Sequence, residues 1–357
     1  MNLNFLFFKT IRILLLPFSF IYALIIIVRN WCYDLNWMQS ASFNMPLVCV
    51  GNLAVGGTGK SPMVELLIKK LKDQFHIAVL SRGYKRKTSG YALADKEATA
   101  LEIGDEPMQF KMKFPDVAIA VGEERVVAIP QLLHDLPDTK VIILDDAFQH
   151  RAVKAGLNIL LTECSNLFTR DWWLPTGDLR DQKKSYKRAD IIVVTKCDPS
   201  FSLKERNDIV NEIRPLEKQD VFFSYIKYGQ PYHISSGAQI QFADSMEVLL
   251  VSGIANPAPL KQYLDEQTLA YYEMDYSDHH IFTIDDLKSI VRRFDGISAT
   301  NKIILTTEKD SVRLTKFTQE LKDLPIYVIP IEPGFLFQEE KRFTEIIISF
   351  IREFKYQ

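Results

Sequence analysis

A glycine-rich loop lies between an apolar run and an amphipathic segment near the start of this chain. The loop belongs to VGNLAVGGTGKSP, residues 50–62, which overlaps the apolar run PLVCVGN and leads into SPMVELLIKKLKD. In this order, a buried strand, a glycine loop and a helix are typical of a phosphate-binding loop, because loop N–H groups and the positive helix end both bind phosphate oxygens. The feature therefore predicts a parallel α/β sheet with a phosphate site at one edge.

The loop departs at one position from the strict pattern G-x-x-x-x-G-K-[ST]. Ala54 stands where the first glycine is expected, and Gly56 and Gly57 lie inside the loop. Lys60 is expected to reach the β- and γ-phosphates, and the Ser61 hydroxyl is expected to bind Mg²⁺. The predicted nucleotide-contacting residues are Ala54, Val55, Gly56, Gly57, Thr58, Gly59, Lys60 and Ser61.

Apolar runs and amphipathic stretches alternate along most of the chain. This alternation predicts a doubly wound parallel sheet of the P-loop NTPase type, and a second, shorter series of runs predicts a smaller α/β domain. A length of 357 residues also favours two domains. The predicted division is an N-terminal membrane-associated helix (1–35), a P-loop domain (36–225), a β-ribbon linker (226–245) and a smaller C-terminal α/β domain (246–357).

The N-terminal segment ILLLPFSFIYALIIIV, residues 13–28, contains no charged side chain. It is slightly short for a spanning helix, which needs roughly 20 apolar residues, and Pro17 is expected to bend or interrupt it. A cleaved signal peptide and a buried core helix are the alternatives. We favour a helix that lies in the membrane surface, with Arg12 and Arg29 at its ends near anionic lipid.

Composition excludes some classes of function. The formal net charge of -2 argues against a general nucleic-acid-binding protein, which would carry a basic excess. The cysteines show no metal-binding spacing, and we interpret them as reduced thiols in the cytosol. They are Cys32, Cys49, Cys164 and Cys197.

A second acidic motif follows another apolar run. In VIILDDAFQHR, strand-like residues lead directly into Asp145 and Asp146. This arrangement resembles a Walker B strand, whose carboxylates hold or orient magnesium beside the loop hydroxyl. A GTPase would carry D-x-x-G here, and Phe148 occupies the glycine position, so TKCD at 195–198 is weak evidence for guanine recognition.

Further polar clusters are suited to a transfer reaction. Asp105 and Glu106 stand at the start of a predicted helix, Arg125 follows another strand, and YSDHHIFT at 276–283 brings histidines from the second domain. A kinase must orient an alcohol, accept its proton and offset charge on the moving phosphoryl group. An acid, a histidine and arginines around one cleft would do so.

The chain resembles the tetraacyldisaccharide 4'-kinase family, the lipid A 4'-kinases, over almost its full length. The motifs that carry the resemblance are VGNLAVGGTGKSP, LSRGYKRK, GDEP, LDDAFQHR, LPTGDLRD, VVTKCD, SGIANP, DHH and TTEKD. The resemblance implies an ATP- and magnesium-dependent enzyme on the cytoplasmic face of the bacterial inner membrane. Such an enzyme phosphorylates the 4'-hydroxyl of tetraacyldisaccharide 1-phosphate in lipid A biosynthesis, and its two α/β domains are joined by a β-ribbon.

The resemblance also implies roles for individual residues. Asp105 would be the catalytic acid-base group, assisted by His279, with His280 the less favoured candidate. The magnesium ligands would be Ser61, Glu106, Asp145 and Asp146. The residues lining the nucleotide or substrate cleft would include Arg125, Gln149 and Arg180.

Two basic runs could bring the chain to anionic lipid. RGYKRK at 82–87 and KKSYKR at 183–188 each include a tyrosine. They are expected either to meet headgroups and the substrate's 1-phosphate or to form solvated faces. The lipid and the membrane surface are the expected partners, with no nucleic acid and no obligate protein partner. The rival function is a membrane-associated P-loop switch ATPase without a lipid acceptor.

Overall fold

The computed structural model describes Arg12 and residues 14–355. Fourteen strands of this part of the chain form two sheets. The strands are β1 Leu47–Asn52, β2 Ile77–Ser81, β3 Ala92–Leu93, β4 Ala118–Val121, β5 Val141–Asp145, β6 Leu157–Glu163, β7 Ile191–Thr195, β8 Asp220–Tyr228, β9 Tyr232–His233, β10 Glu247–Ser252, β11 Ala270–Asp275, β12 Lys302–Thr307, β13 Ile326–Ile329 and β14 Ile331–Phe335.

Helices cover both faces of the sheets. They are α1 Leu16–Asp34, α2 Lys60–Leu71, α3 Ala100–Ile103, α4 Asp105–Lys113, α5 Arg125–Asp135, α6 Leu203–Ile213, α7 Ala258–Gln267, α8 Ile284–Asp295, α9 Glu308–Leu314, α10 Thr318–Leu321 and α11 Glu340–Arg352.

The large sheet has the strand order β14-β8-β7-β6-β1-β5-β2-β4-β3 and is parallel except for its two edge strands. β1 is central, with β5 on one side and β6 on the other. The chain therefore crosses from one side of β1 to the other between β5 and β6. Ligands of open α/β sheets bind at such a reversal, outside the carboxyl ends of the strands.

Both faces of β1 are buried because its side chains are apolar on each side. Val48 and Val50 pack with Met63 and other side chains of α2 in one layer. Leu47 and Cys49 face the opposite layer, which includes residues of α5 and α6. The α/β prediction for this domain is confirmed.

The smaller sheet has the order β11-β10-β12-β13-β9, and only the short β9 is antiparallel to its neighbour. Its two apolar layers are formed mainly by α8 on one face and α7 on the other. The residues that follow the carboxyl ends of β10, β11 and β12 line the cleft described below, together with residues of the large domain.

The division between the two units differs from the predicted boundaries. The run LPIYVIPIEP forms two strands in different sheets, since β13 ends at Ile329 and β14 begins at Ile331. Pro330 separates them, because proline lacks the N–H that a continuous strand needs. β14 pairs antiparallel with residues 224–228 of β8, and α11 packs on the large sheet. The residues after 330 therefore pack with the first unit, whereas 246–357 was expected to form the second.

The predicted linker, 226–245, is likewise shared between the sheets. Residues 226–228 pair with 331–333, and Tyr232–His233 pairs with β13. β8 and β14, two segments far apart in sequence, thus form an antiparallel pair at one edge of the large sheet.

Helix α1 lies against the large domain and is apolar on its outer side. Pro17 occupies its first turn, where a missing N–H costs nothing, so the proline starts the helix rather than bending it. Helix α1 is long and apolar enough to span a membrane, but one such helix is weak evidence that a chain crosses a membrane. Residues 1–11 and 13 lie outside the described part of the chain, so the first residue of the predicted apolar segment does too.

Candidate active site

The phosphate loop joins the end of β1 to the first residue of α2. Gly56 and Gly59 have φ of 104° and 86°, a region that favours glycine. A Cβ added at Gly56 or Gly57 would meet no atom within 4 Å, so the space above these two residues is open to a ligand. The loop is therefore shaped to expose its backbone N–H groups.

Two polar contacts hold Thr58 in the loop. Asn52 Nδ2 donates to Thr58 Oγ1 at 2.8 Å, and Thr195 Oγ1 donates to the Thr58 carbonyl at 2.9 Å. Asn52 ends β1 and Thr195 ends β7, so both contacts come from strand termini. These residues were not among the predicted site residues, and they fix the loop before any ligand arrives.

Asp146 is the acid that the loop lysine faces. Its carboxylate lies 3.9 Å from Lys60 Nζ and also pairs with Arg180. Burial raises the Asp146 pKa, but Lys60 and Arg180 lower it more, so the net shift is downward. Asp146 also has a φ of 48°, a strained conformation for a non-glycine residue and one that clusters at functional sites.

Asp145 has the opposite environment although it is the neighbouring residue. Its side chain is buried, Oδ2 accepts from Ser81 Oγ at 2.8 Å, and Oδ1 has no partner among the described residues. Burial, Glu106 and Asp146 raise the Asp145 pKa to about 7. A buried carboxylate with a free oxygen and two acidic neighbours is a good place for a divalent cation.

The remaining predicted magnesium ligands lie in the same region. Ser61 Oγ donates to Glu106 Oε1 at 3.2 Å, which joins the start of α2 to the start of α4. Within Arg12 and residues 14–355, no three Asp, Glu, His or Cys side chains already converge as metal ligands. Magnesium commonly takes the rest of its shell from phosphates and water, so this donor set fits it.

The two predicted catalytic residues meet across the domain interface. Asp105 begins α4 in the first unit, and its Oδ2 lies 3.3 Å from Nδ1 of His279 in the second. His279 has a φ of 64°, which again marks a strained backbone position. His280 points away and pairs with Asp286 at 3.0 Å, so the preference for His279 agrees with the geometry.

Two cations in α9 also reach this pair, and sequence reasoning did not find them. Arg313 lies 2.9 Å from Asp105 Oδ2, and Lys309 Nζ lies 3.4 Å from His279 Nε2. Lys309 is part of TTEKD, and Arg313 follows that motif by three residues. The TTEKD motif indicated only the family resemblance. Nothing in the neighbouring sequence predicts that the helix beginning there faces Asp105.

These groups line one cleft of about 700 Å³ between the two units. The first unit contributes the phosphate loop, the two neighbouring acids and the start of α4, while the second contributes the loops after β10 and β11 and the start of α9. The predicted residues on its wall are Val55, Gly56, Gly57, Thr58, Gly59, Lys60, Ser61, Asp105, Glu106, Asp145, Asp146, Arg180 and His279. Ala54 is partly buried just before the loop and pairs with Leu179.

Arg125 and Gln149, which were expected to line the cleft, lie behind its wall. The Arg125 guanidinium is buried and donates to the carbonyls of Gly122 and Asp145 at 3.0 and 3.2 Å. Gln149 Nε2 donates to the Asn52 carbonyl at 2.7 Å. Both side chains therefore hold the backbone at strand ends, at Asp145 of β5 and at Asn52 of β1.

Both basic runs have members committed to contacts within the chain, since Arg86 of the first run is buried against Glu123 at 2.6 Å. Arg82 and Tyr84, in the first run, stand on the cleft wall. In the second run, Arg188 pairs with Asp181 at 2.7 Å and Lys183 donates to the Thr169 carbonyl. The second run is therefore partly committed to internal contacts.

Comparisons with known proteins agree with this arrangement. Residues 11–352 match a family model described as tetraacyldisaccharide-1-P 4'-kinase. The tetraacyldisaccharide 4'-kinase of Parabacteroides distasonis is 44% identical over 352 residues, with 95% of this chain and 94% of the relative covered. That of Bacteroides thetaiotaomicron is 42% identical over 354 residues, with 95% and 93% covered. A crystal structure described as the "apo" form of LpxK from Aquifex aeolicus in complex with ATP has a TM-score of 0.74 at 27% identity, covering 96% of this chain and 99% of that one.

Proposed function

This chain belongs to the tetraacyldisaccharide 4'-kinase family, and on that premise we propose that it transfers the γ-phosphate of ATP to the 4'-hydroxyl of tetraacyldisaccharide 1-phosphate within the cleft between its two units. The step belongs to lipid A biosynthesis.

The observation that carries this proposal is the meeting of three groups in one cleft. An open glycine loop with Lys60, a buried Asp145 beside Asp146, and Asp105 facing the second unit all line it. Phosphoryl transfer relies mainly on positioning and on charge stabilisation, and these groups supply both. A simple switch ATPase would not need an acid held against a second domain.

Each group has a role in an in-line transfer. As the 4'-oxygen forms its bond to the γ-phosphorus, the bond from that phosphorus to the bridging oxygen of ADP breaks. Asp105 accepts the hydroxyl proton, and Lys60 offsets negative charge on the γ-phosphoryl oxygens. Ser61, Glu106, Asp145 and Asp146 are the residues that would hold magnesium, which supplies positive charge to the phosphates when bound.

Arg180 has a supporting role in this scheme. It pairs with Asp146 and also donates to Asn52 Oδ1, so it links the second acid to the start of the loop. We propose that Arg180 holds Asp146, which would be a magnesium ligand, in place rather than contacting the acceptor lipid.

We also propose that α1 lies in the cytoplasmic surface of the bacterial inner membrane, on the side where ATP is available. Its outer side chains are large, apolar and exposed: Phe18, Phe20, Ile21, Leu24, Ile25, Val28 and Trp31. Its inner side is tied to the large domain from Ser19, which contacts Thr176, to Asn30, which contacts Asp181. These contacts extend over about 16 Å of helix, and a helix crossing the bilayer could not keep them.

The test is transfer of labelled γ-phosphate from ATP to tetraacyldisaccharide 1-phosphate in detergent micelles. The full chain should label the lipid, and Lys60→Ala and Asp105→Ala should each abolish labelling, with Asp105→Ala still binding ATP. Hydrolysis of ATP without labelled lipid would contradict the proposal and favour the membrane-associated switch ATPase.

A further inference from the structure

Arg313 contacts both residues of the candidate catalytic pair. Its Nε is 3.0 Å and its Nη2 is 2.9 Å from Asp105 Oδ2, and the same Nη2 is 3.0 Å from His279 Nδ1. Its side chain is only 5% exposed, so water competes little for these contacts. One guanidinium therefore joins an acid of the first unit to a histidine of the second.

A buried acid fixes the orientation of this guanidinium. Arg313 Nη1 is 3.2 Å from Oδ1 of Asp310, which is fully buried. Asp310 in turn accepts from the Gly253 N–H at 2.9 Å and from Thr307 Oγ1 at 2.8 Å. Both donors stand at or just beyond carboxyl ends of strands in the second sheet, so the sheet itself sets where Arg313 points.

Arg313 approaches the imidazole more closely than the other charged groups around it. Its Nη2 is 3.0 Å from His279 Nδ1, whereas Asp105 Oδ2 is 3.3 Å from the same nitrogen. On the other side of the ring, Lys309 Nζ is 3.4 Å and Asp278 Oδ2 is 3.8 Å from Nε2. Because a guanidinium carries several N–H donors in a fixed planar geometry, Arg313 can set the position of Asp105 and of the imidazole at once.

We propose that Arg313 is a positioning residue for the transfer reaction. It holds Asp105 and His279 side by side through one guanidinium. Since Arg313 belongs to the second unit, this order exists only when the two units are docked. The inference rests on the proposed function above, because a positioning role requires a reaction to act on.

The same two helices have a second contact, which provides a matched control. Lys113 ends α4 and lies 2.6 Å from Glu308 at the start of α9, whereas Asp105 begins α4 and meets Arg313 near the end of α9. The antiparallel helices are thus joined at both ends. Lys113→Met loosens this pair without touching Asp105 or His279.

The first experiment compares lipid labelling by Arg313→Ala, Arg313→Lys and Lys113→Met with labelling by the unchanged chain. Arg313→Ala should lower kcat about 100-fold and leave the KM for ATP within about twofold, because a misplaced acid affects the step rather than nucleotide binding. Arg313→Lys keeps the positive charge but loses the planar set of N–H donors that contacts Asp105 and His279 together. It should still lower kcat about tenfold. Lys113→Met should lower kcat by less than about threefold, because Lys113 contacts Glu65 and Glu308 but neither Asp105 nor His279.

Three outcomes would overturn the inference. One is wild-type kcat in Arg313→Lys, which also decides the matter if Arg313→Ala fails to fold. Another is an equal loss of kcat in Lys113→Met and Arg313→Ala, which would mean that Arg313 only anchors a helix. The third is a loss that is confined to the KM for ATP.

A spectroscopic measurement tests the contact without turnover. In two-bond proton–nitrogen correlation spectra of the histidine rings, with His279 assigned through His279→Gln, the His279 signals should shift more in Arg313→Lys than in Lys113→Met, because only Arg313 contacts the ring. Unchanged His279 signals in Arg313→Lys would contradict the inference. Failure of the unchanged chain to label lipid would instead contradict the proposed function, and this spectrum would still report on Arg313.

Discussion

Two adjacent carboxylates at the end of β5 are pushed toward different states by their neighbours. Lys60 and Arg180 lower the Asp146 pKa against the effect of burial, whereas burial, Glu106 and Asp146 raise the Asp145 pKa to about 7. Environments that separate the pKa values of neighbouring acids usually indicate different roles. Asp146 is the permanent anion, and Asp145 is the one that needs an added cation.

This difference predicts opposite effects of the two neutral substitutions. Asp145→Asn should raise the free energy of unfolding of the ligand-free chain at pH 8 by roughly 1 kcal/mol, because it removes an unpaired buried charge. Asp146→Asn should lower it by roughly 1–3 kcal/mol, because Lys60 and Arg180 lose their partner. Chemical denaturation measures both values.

The same variants separate metal binding from folding. Magnesium should add to the stabilisation by ATP in the unchanged chain and add nothing in Asp145→Asn. Equal destabilisation by the two substitutions without ligands would show that the acids do not differ as proposed.

Motif spacing predicted the site residues whose position follows from the neighbouring strand, loop or helix. Lys60 and Ser61 follow a glycine loop, and Asp145 ends a buried strand, so their position at the sheet edge follows from the chain path. Arg313 could not be predicted, since its contact with Asp105 joins residues 208 positions apart. Arg125 was assigned to the cleft from its place after a strand, but packing turns its side chain inward.

Among the helices, α1 combines a polar inner side with an apolar outer side. Ser19, Tyr22, Arg29 and Asn30 make hydrogen bonds to the large domain. The opposite side exposes large apolar residues, and such patches mark interaction surfaces. Composition predicted the apolar character, whereas the docking of the inner side depends on residues near 149–181 and could not be read from the segment itself.

The outer side of α1 should control membrane binding without affecting folding. The combined substitution of Phe20, Leu24 and Val28 by serine should weaken binding to anionic phospholipid vesicles more than about 100-fold, since each buried side chain contributes roughly 1.5–3 kcal/mol. The free energy of unfolding should change by less than about 0.5 kcal/mol, because these side chains are exposed. Vesicle flotation and denaturation measure the two effects.

Ser19→Ala is the control on the docked side, and it should leave flotation unchanged. Wild-type vesicle binding by the triple variant would mean that the outer side of α1 does not face lipid.

Across the whole chain, the strand order explains why the sequence predicted two α/β units but not their boundary. Apolar runs reveal strands, yet they do not reveal which sheet a strand joins. β14 follows β13 after a single proline and pairs with β8 of the other sheet. Contacts of α11 stabilise the packing of this C-terminal segment on the large sheet. One example is Phe343 with Phe222 of β8, at 5.4 Å between ring centroids.

A buried charge cluster spans the interface between the units and should make stability depend on pH. Lys113 lies 2.6 Å from both Glu65 of α2 and Glu308 of α9. Burial and Glu308 raise the pKa of Glu65 from 4.5 to about 7, although Lys113 opposes the shift. The folded chain therefore binds this proton more tightly than the unfolded chain does. The stabilisation from that proton is complete below pH 4.5 and is lost as the pH rises through about 7.

Glu65→Gln should remove this dependence, because glutamine does not titrate. We define the difference as the free energy of unfolding of the variant minus that of the unchanged chain. This difference should increase between pH 5 and 8 by on the order of 1–3 kcal/mol, because only the unchanged chain loses stability. Glu340→Gln, which alters the exposed pair with Lys70, should give a nearly constant difference over the same range. Denaturation at several pH values measures both. A pH-independent difference for Glu65→Gln would mean that Glu65 stays ionised in the folded chain, with Lys113 outweighing burial at the interface.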